Sequence, residues 1–171
     1  MLETIKDALW QQFGASLQMI ENAINLWPET LWDTDKKFFY TVYHTLILTD
    51  YYLTIPSPSD FVSTLPFTFM DKEDIPTGVL GDMVPDRIYT KSETIDYLQD
   101  ITAKCHSAIH NLTDQMISER WIEEGGEMDY SVLEILIYNM RHVQHHAGQV
   151  NMLLRQTTNR SSGWVFRAEE E

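Results

Sequence analysis

Only one cysteine, Cys105, stands among the 171 residues. An intramolecular disulfide framework is therefore impossible, which fits a reducing compartment, and a cytoplasmic location is expected. Cations are scarce as well. Twelve lysines and arginines stand against 26 aspartates and glutamates, a net charge of -14. No basic stripe is available to neutralise phosphates, which argues against nucleic acid and anionic membrane surfaces as partners. No apolar run approaches the roughly 20 residues needed to span a bilayer. Met1 to Ala8 carries Glu3 and Asp7 and no apolar core, so it reads as the start of a helix rather than a targeting peptide. Repeats and low-complexity tracts are missing too. Five of the six prolines fall between Thr54 and Thr90, which leaves the rest of the chain almost free of helix breakers.

What remains is a chain that is 43% hydrophobic and 22% charged, ordinary for one globular domain, taken here as residues 1–171. Its apolar periodicity predicts four long helices. The first runs from Leu2 to Leu26 on Leu2, Ile5, Leu9, Phe13, Leu17, Ile20 and Ile24, with Pro28 beyond its end. The second, from Asp35 to Leu53, is apolar nearly all round and so expected to be central. An irregular stretch follows from Thr54 to Thr90, long enough to act as a crossover or lid. Phe61, Phe67 and Phe69 in it are candidate pocket walls. Thr90 and Glu93 match a capping box that opens a third helix, read to Arg120. Gly125-Gly126 breaks the chain. Ser131 and Glu134 match a second box, opening a fourth helix read to Gln156. The tail from Asn159 is expected to be partly irregular, with Trp164 and Phe166 packing back. Short links between the first two and the last two helices make each pair antiparallel. The long link then makes helices two and three parallel: an all-α, up-down-down-up four-helix bundle.

The chemistry concentrates in the histidines. His142 and His146 are four residues apart, which on a helix stacks two imidazoles on one face, close enough to share a metal ion. Their row sits at the edge of the fourth helix's main apolar stripe of Leu136, Met140, Val143, Ala147, Val150 and Leu154. His145 projects away from that stripe and reads as solvent-exposed. His106 and His110 have the same spacing but fall on the polar side of the third helix, as solvated residues. His44 lies on the Tyr40, Ile47, Leu48, Tyr51 side of the second helix, expected to face inward. Helical histidine pairs also occur without any metal, so spacing alone does not decide. Asp50 reads as a solvated helix end, and Cys105 as core packing. Gly148 reads as a place where a neighbouring element comes close, and Gln149 either as a hydrogen-bond partner for a ligand or as packing. Ile137 and Met152, apolar on the otherwise polar side, point to a subunit contact and a homodimer.

The run His142-Val-Gln-His-His146-Ala-Gly-Gln149 resembles the last-helix signature of the DinB/YfiT-like superfamily, and His44 occupies the place of that family's histidine in the second helix. Chain length and the long crossover agree. The resemblance implies a divalent metal, zinc or nickel, on His44, His142 and His146. Neutral imidazoles suit several transition metals and do not choose among them. Three protein ligands leave a position open, as in catalytic zinc sites. The resemblance further implies an enzyme acting on a small molecule, of transferase or hydrolase type, some relatives using low-molecular-weight thiols as co-substrates. A non-catalytic dimeric bundle with a vestigial metal site is the alternative.

Overall fold

The computed structural model describes residues 1–34, 36–59, 61–63, 70–74 and 83–168. Among these the chain is mostly helical. Helix α1 spans Leu2–Leu26, a short α2 Glu29–Trp32, α3 Lys36–Tyr52, α4 Lys91–His110 and α5 Val132–Thr158. Each long helix matches one apolar repeat. Helix α1 buries Leu9, Phe13, Leu17, Ile20 and Ile24 on one stripe and ends just before Pro28. The nearly all-round apolar α3 buries Phe38, Phe39, Val42, Tyr43, Leu46 and Ile47.

The helices pack round a common core. Helix α1 packs most closely on α5 and α4, and α3 on α5 and then α4. Aromatic residues weld the α1–α2–α3 corner: Trp27 stacks on Phe38 with centroids 3.9 Å apart, and the buried Trp32 donates its indole N–H to the Tyr89 carbonyl at 2.7 Å. Among the described residues, no helix is long and apolar enough to cross a membrane.

Both predicted caps act at helix starts, the first as a complete capping box and the second through the Ser131 side chain. The Thr90 hydroxyl accepts from the Glu93 amide at 3.2 Å, while the Thr90 amide donates to the Glu93 carboxylate at 2.8 Å. Arg87 pairs with that carboxylate at 2.7 Å and, ahead of the Thr90 contacts, pulls its pKa down to about 2. At α5, Ser131 accepts from the Glu134 amide at 3.1 Å.

The third helix is shorter than its sequence pattern suggests. It stops at His110, ten residues before Arg120, with Asn111 as its C-cap. A 3-10 turn, Met116–Ser118, follows. Strands β1 (Arg120–Ile122) and β2 (Asp129–Ser131) then pair antiparallel across the Gly125-Gly126 turn, with Trp121 opposite Tyr130. Apolar spacing alone carries the helix too far because Thr113 caps a new turn, its hydroxyl accepting the Met116 amide at 3.2 Å. Trp121 is wholly buried and donates to the Thr54 carbonyl at 3.0 Å. It thereby ties the hairpin to the end of α3.

Phe61 is half-buried against Tyr51, with ring centroids 5.4 Å apart. It belongs to a satellite cluster with Tyr52, Trp121, Tyr130 and Tyr138. Phe67 and Phe69 lie outside the described residues. In the tail, the Ala168 amide donates to the Gln11 carbonyl at 3.0 Å. A Cβ on Gly14 would sit 2.8 Å from the Ala168 Cβ, so a side chain there would push the tail off α1. Trp164 and Phe166 are instead exposed, at 62% and 80%: Val165 and Ala168, not the aromatic side chains, pack the tail against the helices.

Candidate metal centre

Helices α3 and α5 bring His44, His142 and His146 together, one ligand atom from each lying within 4.8 Å of the others. His142 and His146 are one turn apart on α5, with ring centroids at 4.6 Å. His44 reaches them from α3, its ring 5.4 Å from that of His142 and 4.9 Å from that of His146. The α5 pair is half-buried at the edge of the core, where the sequence placed it. His44, expected inside, is exposed. Tyr40, a turn earlier, is 41% exposed, so this side of α3 forms the mouth of the site rather than its floor.

The nitrogen geometry suits a shared cation better than a direct hydrogen bond. The Nε2 atoms of His44 and His142 are 3.5 Å apart, long for an N–H···N bond. Ligand nitrogens about 2.05 Å from a tetrahedral ion lie about 3.3 Å from each other. Gln149 sets the third imidazole. His146 Nδ1–H donates to the Gln149 side-chain carbonyl at 2.7 Å, which leaves His146 Nε2 with its lone pair free. The Gln149 amide group donates in turn to His145 Nε2 at 3.1 Å. Gln149 thus orients a ligand, as outer partners of metal-bound histidines do. His142 Nδ1 differs: it is buried and has no hydrogen-bond partner among the described residues, as is Asn139 Oδ1 one turn earlier.

Electrostatics favour the ligating form. Burial, then the neighbouring His146, His44 and His145, lowers the His142 pKa to about 3. His44 is lowered by lost hydration and by His146. His146 is lowered by burial, partly opposed by its bond to Gln149. All three imidazoles are therefore neutral at pH 7, as metal binding requires. Three neutral ligands crowded together also disfavour a proton on any one of them.

Around the triad the surroundings are aromatic on one side and open on the other. Tyr52 meets His142 edge-on at 6.0 Å and Tyr138 at 5.3 Å. A surface cavity of about 270 Å³ lies against His142, lined also by Tyr138, Arg141 and His145. Arg141 projects toward the Tyr138 ring at 5.7 Å. Sequence patterning did not single out this rim, since Arg141 and Tyr138 read as ordinary surface positions on an amphipathic helix.

Residues 85–163 match the family model described as "DinB family". Over these residues the chain is similar to the DinB family. The DinB match covers α4, the hairpin and all of α5, including His142, His146 and Gln149, but not His44; the DinB assignment therefore rests on the second half of the chain. No curated protein and no solved structure matches significantly.

Other candidates take less eventful roles. His145, His106 and His110 are exposed, and His106 stacks on His110 with centroids 5.9 Å apart. Cys105 is fully buried and burial pushes its thiol pKa up, so it is no nucleophile. Asp50 corrects the sequence reading. It is buried rather than solvated, accepting from Lys104 Nζ at 2.6 Å and from the Tyr97 hydroxyl at 2.7 Å. The helix-end pattern gave no sign of this because Lys104 and Tyr97 come from α4. Gly148 is a correction too: nothing lies within 4 Å of where its Cβ would be, so it faces open space rather than a close neighbour.

Proposed function

We propose that the chain is a metal-dependent enzyme in which His44, His142 and His146 hold one divalent ion, zinc or nickel, and a small-molecule substrate approaches through the cavity beside His142. The convergence of three neutral imidazoles from two helices, with His146 fixed by Gln149, is the observation that carries this reading. Such an ion, when bound through three protein ligands, lowers the pKa of a coordinated water or thiol and yields a nucleophile at neutral pH. Transfer to or from a low-molecular-weight thiol is the reaction class that fits best, with hydrolysis next. In either case this chain's own groups would keep the imidazoles deprotonated, hold the His146 tautomer and present Arg141 and Tyr138 to the substrate. A cytoplasmic setting, an up-down-down-up order of the long helices and a single domain over residues 1–171 belong to the same reading. So does the exclusion of nucleic acid as a partner, on the strength of the acidic surface.

Metal analysis of protein prepared without a polyhistidine tag tests the centre. Near-stoichiometric zinc or nickel is expected in the native chain and none in a His142→Ala, His146→Ala double variant. A native chain that neither carries nor takes up either metal would sink the proposal. Conjugation assays with thiol and electrophile pairs then test the reaction class.

A second reading rests on Ile137 and Met152, which are 46% and 53% exposed on α5. They would make the outer face of α5 a homodimer contact, with the metal centre vestigial. Sedimentation of a Met152→Glu variant separates the two: a monomer with intact turnover supports catalysis, and a phenotype that survives loss of the metal supports the vestigial reading.

A further inference from the structure

On the face of α1 turned to α4, away from the histidines on α3 and α5, lies a larger opening of about 740 Å³. It is lined from α1 by Trp10, Gln18 and Glu21 and from α4 by Gln99, Thr102 and His106, and closed at one end by Ala168 of the tail. A seam between two packed helices is expected to be apolar. Here Gln18 and Glu21, one turn apart on α1, face the polar side chains of Gln99 and Thr102, one turn apart on α4. The small residues Gly14 and Ala103 also line this seam. The opening is far larger than the roughly 30 Å³ that one water occupies, and it falls within the size range of small-molecule sites.

Three features give its ligand a chemistry. Gln18 lines the opening, and its Oε1, turned out of solvent, has no hydrogen-bond partner among the described residues, so a donor is gained only when the side chain turns into the opening. Glu21 is half-buried and no ion pair among the described residues involves it. Trp10 presents an indole ring, held edge-to-face against His106 at 4.6 Å, and an indole face attracts cations. An unpaired acceptor, an unpaired carboxylate and an aromatic face in one opening all call for a positively charged donor, and the net charge of -14 draws cations toward the protein.

We propose that the cleft between α1 and α4 is a binding site for a linear polyamine in its ammonium form, with one amine at Glu21 and Gln18 and another at Trp10; Glu21 and Trp10 stand about 16 Å apart along α1. It is separate from the histidine centre and independent of what that centre does. Ala168 of the tail forms part of its wall and packs against Gly14.

Titrations of the full chain at pH 7.5 with spermidine, triethylene glycol and glutarate test the assignment. The readout is the Trp10 indole N–H resonance. Spermidine alone is expected to shift it. Glu21→Gln is expected to weaken spermidine by about tenfold, the scale of one charge-assisted contact, and Glu127→Gln, an exposed acidic control in the hairpin turn, to leave it unchanged. Gln18→Leu should also weaken binding while leaving the melting temperature equal or higher, because it removes a buried acceptor that has no partner. The proposal is overturned if Trp10 does not respond, if triethylene glycol shifts it equally, or if Glu127→Gln weakens spermidine as much as Glu21→Gln.

Discussion

At the scale of single residues, the centre depends on the tautomer and charge of three imidazoles. Gln149 accepts from His146 Nδ1 and so directs the Nε2 lone pair inward. Replacing Gln149 with leucine should weaken metal affinity by roughly 10- to 100-fold, the usual cost of losing such a partner, while the helix stays folded. Competition with a chromophoric chelator measures it; unchanged affinity would show that Gln149 only packs. Asp50 makes a different kind of test. Asparagine there leaves the Lys104 ammonium and the Tyr97 hydroxyl facing a neutral amide. A fully buried pair would lose 3–5 kcal/mol, but the Lys104 side chain is 37% exposed, so about 2 kcal/mol is expected in urea denaturation. These two residues also mark the limit of reading a sequence at this scale. Gln149 was within reach because its partner is three residues away on the same helix. Asp50 was not, because its partners lie about fifty residues downstream.

Among the elements, the hairpin is the piece that helical periodicity misses. The nine residues that lead into it, 111–119, keep an apolar spacing that continues α4 in sequence, yet Thr113 and Asn111 stop the helix, and Trp121 of the hairpin turns inward. Trp121 meets Tyr51 and Tyr52 edge-on at 5.6 and 5.9 Å, and Tyr52 meets His142. The hairpin therefore supports the aromatic wall of the centre. Trp121→Ala should cost about 3 kcal/mol or more, in line with other buried aromatic truncations, and loosen metal binding secondarily. If chemical denaturation shows under 1 kcal/mol, the hairpin is not anchored through this side chain. The N-caps Thr90 and Ser131, by contrast, were legible because each acts within four consecutive residues.

For the whole molecule, the three lowered histidine pKa values link folding to pH. An unfolded chain takes up protons on these imidazoles near the ordinary value of about 6.5, whereas folded His142 resists until about 3. Between those values the unfolded state holds more protons, so stability falls as pH falls. In metal-free protein the loss should begin below about pH 6.5 and continue toward pH 3; a His142→Phe variant should flatten that part of the profile. Thermal melts in a pH series read this directly, and a native profile flat through this window would contradict the burial of neutral imidazoles. Bound metal should steepen the same dependence, because protons compete for the ligand nitrogens.

By itself the amino-acid sequence determined where helices start, which faces are apolar, which histidine pair lies at the core edge and which family the last helix resembles. All of these are local: they depend on residues within a turn or two of one another and on the 3.6-residue period. Tertiary structure alone decided that His44 meets the pair from the mouth of the site, that Asp50 is clamped by α4, that Trp121 props the aromatic wall, and that α1 and α4 leave a polar cleft between them. Each of these joins residues distant in sequence. Such contacts follow from how whole helices pack to bury apolar area, and no window of neighbouring residues contains that information.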